Sequence, residues 1–79
     1  METDEYFEKE KVLMRNFIEI CKAKDYSEES VRIMGTICLS KNSIEKGFSS
    51  LEMFSIATDY VRENKNEKDC INSLIELLK

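Results

Sequence analysis

Two glycines and no proline serve the whole of this 79-residue chain, and that scarcity constrains its fold more than any other feature. The tight turns of all-β domains draw on Gly, Pro, Asn and Asp for backbone conformations that other residues resist. Helices joined by short polar connections need few of them. An all-α architecture follows.

The best-specified helix opens at Ser49. Ser49 and Glu52 form a capping box, in which the hydroxyl accepts the Glu52 backbone N–H and the carboxylate reaches back to the Ser49 N–H. Phe48 before the cap and Met53 at the fourth helical position are spaced for a hydrophobic staple. Met53, Phe54, Ala57, Tyr60 and Val61 then make one apolar stripe. The helix is expected over about 50–64, as the packing surface that the other helices cover.

Three more helices are expected around it. The first spans about 3–24, with Tyr6, Leu13, Met14, Phe17, Ile20 and Cys21 on its buried face, Glu10 near the middle of that face, and Val12 and Ile18 outside it. The second spans about 28–40 behind Ser27 as N-cap, with Val31, Ile33, Met34, Ile37 and Cys38 inward and Leu39 elsewhere. The last spans about 67–79 behind Asn66, with Cys70, Ile71, Leu74, Ile75, Leu77 and Leu78 apolar. Lys65 and Asn66 form the turn before it. Between the second and third helices, Ser43 is expected to cap an extra turn over 43–47, with Gly47 as its left-handed C′ residue. The alternative is an unbroken second helix, for which Ser40 to Ser43 is a weak interior. Gly35, inside helix two, either permits a close helix approach or is tolerated slack at a cost of about 1 kcal/mol. The expected whole is one domain over 1–79 without linkers, a compact four-helix bundle or orthogonal helical array.

The charge is segregated. Glu2, Asp4, Glu5, Glu8 and Glu10 stand against Lys9 alone in the first ten residues, so the whole net charge of −4 lies there. The remaining residues are neutral overall. That acidic end would steer a basic partner. The start of the chain is acidic where a secretory signal would be basic and then apolar, and its apolar runs are far too short to cross a bilayer. A cytoplasmic protein without a membrane role is expected, its three cysteines being buried free thiols.

Chemistry finds few footholds. With no histidine, the commonest general base and metal ligand is missing, and Ser–His or Cys–His nucleophilic pairs cannot form within the chain. The cysteines lack Cys-x-x-Cys spacing, so no metal site is expected, and two glycines cannot make a phosphate loop. No catalytic residue and no cofactor are assigned. A helix-turn-helix is disfavoured because the connection from Lys41 to Ser49 is long and the candidate reading helix offers only Arg62 as a base. The case for nucleic acid would rise if a dimer brought Lys41, Lys46, Lys65 and Lys68 onto one surface.

Protein binding remains. The candidate partner-binding surface is Glu2, Asp4, Glu5 and Glu8, and the apolar residues off the stripes, Val12, Ile18, Leu39 and Ile56, form a candidate apolar interface. The most concrete expectation is a non-enzymatic inhibitor of the immunity-protein or antitoxin type, which masks a basic partner such as a toxin nuclease by occlusion. The alternatives are a small homodimeric transcription regulator contacting DNA or polymerase, and a structural helper or chaperone subunit. These are analogies of class drawn from size and charge.

Overall fold

The computed structural model describes residues 2–63 and 66–79, and for residues 2–4 and 6 the backbone alone. It contains four principal helices and one short one, with no strand among the described residues: α1 (Glu2–Ala23), α2 (Glu28–Cys38), α3 (Lys41–Glu45), α4 (Ser50–Arg62) and α5 (Glu67–Leu77). The helical array anticipated from the sparse turn residues is present. The Tyr6 side chain, Asn64 and Lys65 lie outside the described residues.

α4 is the centre. Its capping box has both halves in place: the Ser49 hydroxyl accepts the Glu52 N–H at 3.2 Å, and the Glu52 carboxylate accepts the Ser49 N–H at 3.4 Å. Met53, Phe54, Ala57 and Val61 are buried, and Tyr60 is half-buried against the core. α1 packs along α4, α2 packs on α5 and α4, and α5 also touches α4. Phe17 of α1 and Phe54 of α4 meet with ring centroids 5.8 Å apart, tilted at 55°. That geometry suits the aromatic quadrupole better than a face-to-face stack.

The connections explain themselves through orphaned backbone groups. At the end of α1, Tyr26 N–H donates to the Cys21 carbonyl and Asp25 N–H to the Lys22 carbonyl, both at 3.0 Å. This Schellman closure puts Asp25 at φ 61°, a position that usually takes glycine. The same closure ends α3, where Phe48 N–H reaches Ser43 and Gly47 N–H reaches Ile44, and Gly47 takes φ 90° as its spacing implied.

Two details correct the sequence reading. Ser40, rather than Ser43, caps the short helix, and Ser43 is buried inside its first turn. The reason is the end of α2, whose last carbonyls need donors. The Ser40 hydroxyl donates to the Ile37 carbonyl at 2.7 Å, and the Ser43 hydroxyl lies 2.7 Å from the Ser40 carbonyl and 3.5 Å from that of Cys38. Ile33 and Ile75 were placed inward but are exposed. α2 buries Met34 and Cys38, and α5 buries Cys70 and Leu74, with Leu78 buried at its C-cap. Each set repeats at i, i+4, a narrow seam that leaves a residue about 100° away outside. Glu10 is tied in as well: its carboxylate accepts the Ser50 hydroxyl at 2.7 Å, joining α1 to the first turn of α4.

Candidate interaction surfaces

The acidic end of α1 stands beyond the core. At 1.5 Å per residue the 22-residue helix is about 33 Å long, most of the 38 Å longest dimension of the molecule. Among its described side chains, the fully buried ones, Phe17 and Cys21, fall in the second half. Glu5 and Glu8 are exposed ahead of Glu10, where the helix meets α4. The side chains of Glu2 and Asp4 lie outside the described residues. Among the candidate acidic residues, the structure therefore locates Glu5 and Glu8 on an accessible stretch of helix.

The candidate apolar residues divide. Val12 is 50% exposed, on a side of α1 away from Ile18 by helical angle. Ile56 is half-buried against the core and is not an open contact point. α4 has neighbours on several sides, so its buried arc is wider than the stripe of five residues implied. Ile18 and Leu39 do come together, in a groove between α1 and α2.

That groove has two adjoining apolar hollows. One, of about 160 Å³, is lined by Met14, Phe17, Ile18, Val31, Gly35 and Leu39, with Arg32 and Phe54 completing it. The other, of about 190 Å³, continues from Ile18, Val31 and Arg32 to Lys22, Tyr26 and Glu28. Gly35 helps keep the first hollow open: a Cβ built there meets nothing within 4 Å. It therefore serves no close helix approach. Lys22 on the α1 side and Arg32 on the α2 side line the groove against Glu28, and Lys11, Arg15 and Glu19 border a further hollow along α1 beside Met14 and Ile18. The groove thus joins an apolar floor to a rim with a cationic excess, at the opposite end of α1 from its acidic turns.

Phe7 is the residue that stripe-counting missed. It is 54% exposed, an unusual place for a large aromatic ring. It falls outside the stripe of Leu13, Phe17 and Cys21, but its spacing of seven and eleven from Met14 and Ile18 sets it on their strip of the helix. That spacing was the available signal.

Elsewhere the chemistry is quiet. Cys21, Cys38 and Cys70 are fully buried thiols. Burial, with the neighbouring Cys70 adding to it, pushes the Cys21 thiol up to about 12, and burial with Cys21 nearby does the same for Cys38. Thiols held protonated in this way are poor nucleophiles and poor ligands. The Tyr26 hydroxyl lies 3.3 Å from the Cys70 sulfur, and its ionisation is pushed above the usual range, chiefly by burial and then by that contact. Among the described residues no group of three or more Cys, Asp or Glu is placed to hold a metal, and no helix is long and apolar enough to cross a membrane. A wide depression between α4 and α5, lined by Tyr60, Asp69, Asn72, Ser73, Glu76 and Leu77, is open to solvent. No protein-family model, curated protein or solved structure matches the chain.

Proposed function

We propose that this chain is a small non-enzymatic protein-binding module whose acidic end of α1 engages a basic partner. The observation that carries the reading is the position of Glu5 and Glu8. They are exposed on helical turns that stand beyond the core, in the ten residues that hold the entire net charge. A rigid helix presents them at fixed spacing, so a cationic surface is met without the cost of ordering a tail. The most concrete form is an inhibitor of the immunity-protein or antitoxin type. Its carboxylates would lie in a groove that a nuclease uses for phosphates, and inhibition would be by occlusion. The lack of histidine and the protonated, buried thiols support a role without catalysis.

The test is capture from the native cell with the intact chain as bait, beside a Glu5→Gln, Glu8→Gln double variant. A basic protein should be retained at low salt and released as salt rises, because the attraction is screened. The double variant should bind it about tenfold more slowly. A partner that binds the double variant as well as the parent would refute the reading.

A further inference from the structure

The exposed aromatic ring of α1 and the open groove beside it are complementary, but a single chain cannot bring them together. Phe7 lies about 10–16 Å along the helix axis from Met14 and Ile18, and a continuous α-helix holds it there. We propose that the α1–α2 groove receives the first turns of α1 from a second copy of the chain, giving a two-fold dimer with antiparallel α1 helices.

The sequence of α1 sets the register. Phe7, Lys11, Met14 and Ile18, at i, i+4, i+7 and i+11, occupy one strip of the helix. When Phe7 of the second copy seats between Met14 and Ile18, its ring enters the hollow floored by Val31, Gly35 and Leu39. The same register brings Glu8 opposite Arg15 of the other copy. Two-fold symmetry repeats both contacts. A parallel pairing would oppose Glu8 to Glu8. The acidic turns of each copy also run toward the rim that Lys22 and Arg32 form, so the charge segregation along α1 is satisfied only head to tail.

One residue opposes the contact. Lys11 falls near the two-fold axis, beside its own symmetry mate, where like charges repel. An interface of two helix faces with such a repulsion at its centre is of the small, transient kind. The pairing does not rest on the proposed basic partner. It covers Glu8, so the two associations compete for the same acidic turns.

Sedimentation velocity on the intact chain, from about 10 µM to 1 mM, tests the proposal. The parent should shift from monomer to dimer across that range. Phe7→Ser should weaken association at least about tenfold. Gly35→Leu should do so too while keeping the helical circular dichroism, since its side chain grows into open space. Lys11→Leu should strengthen association. Glu8→Lys and Arg15→Glu should each weaken it, and the two combined in one chain should restore it. A parent that sediments as a monomer throughout overturns the proposal. So does self-association unaffected by Phe7→Ser and Gly35→Leu, since the contact would then lie elsewhere, at Ile33 or Ile75 for example.

Discussion

The carboxylate of Glu67 accepts the backbone N–H of Ser27 at 2.8 Å and lies 3.2 Å from the Ser27 hydroxyl. Ser27 is the N-cap of α2, and Glu67 is the first residue of α5. One side chain therefore satisfies the start of a helix 40 residues away and places two positive helix ends around a single negative charge. The Ser27 N–H and then the Ser30 hydroxyl hold Glu67 below its ordinary value of 4.5.

That contact makes stability depend on acid. A carboxylate held lower in the folded state contributes fully above its unfolded value and is lost as pH falls through the folded one. The melting temperature should drop on going from pH 6 to pH 3, and Glu67→Gln should melt lower than the parent at pH 6 and fall less on acidification. Thermal melts across this range, followed by circular dichroism, check it. Equal slopes for the two proteins would dismiss the contact as inert.

The two glycines should respond to alanine with opposite signs. Gly35 has room for a Cβ and no backbone constraint, so Gly35→Ala should stabilise by about 1 kcal/mol, raising the melting temperature by about 4–8 °C. Gly47 sits at φ 90°, and Gly47→Ala should destabilise by about 1–2 kcal/mol. Urea midpoints measured in dilute protein separate the two.

Asp25 offers the converse experiment. It closes α1 with a left-handed backbone that a side chain resists. Asp25→Gly should stabilise by up to about 1 kcal/mol, as read from the shift in urea midpoint.

The aromatic pair between α1 and α4 should be coupled. Phe17→Leu and Phe54→Leu each leave an apolar side chain in place, and a double-mutant cycle should give about 0.5–1.5 kcal/mol of interaction. Additive effects would mean the rings serve as bulk alone.

The thiols and Tyr26 should act together at high pH. A group whose ionisation is raised by folding leaves stability intact below its unfolded value and erodes it above, as the unfolded chain ionises first. Cys21 and Cys38 ionise near 9.0 when unperturbed and Tyr26 near 10.0, so the fold should weaken steadily from about pH 9 upward. In native protein at pH 8 a thiol reagent should find almost nothing, and in denaturant three thiols should react. Prompt reaction of the native protein would mean the core opens easily.

Local signals in the sequence were faithful. Ser27, Ser49 and Asn66 cap helices as their spacing implies, because a cap needs only the N–H two or three residues onward. The stripe of α4 is buried for a similar reason, since its period is fixed by the helix itself. Choices that depend on distant atoms were hidden. The Glu67–Ser27 contact joins residues 40 apart, and the choice of Ser40 over Ser43 as cap of α3, though local, turns on where α2 ends. The groove was hidden too, because it belongs to neither helix alone. Ile18 and Leu39 each read as a stray apolar residue until α1 and α2 are laid side by side.

The pairing of the helices has a consequence for how the chain is made. α1 rests mainly on α4, and α2 on α5 and α4, so the two associations interleave along the sequence. As the chain leaves the ribosome, α1 is finished early. α1 also meets α2, but Phe17 and Cys21 lack most of their cover until α4 is in place. α1 and α2 without α4 therefore lack the main packing surface of the fold. Such long-range closure should slow folding relative to bundles built from sequential neighbours. α1 is fully locked in place only once α4 is present.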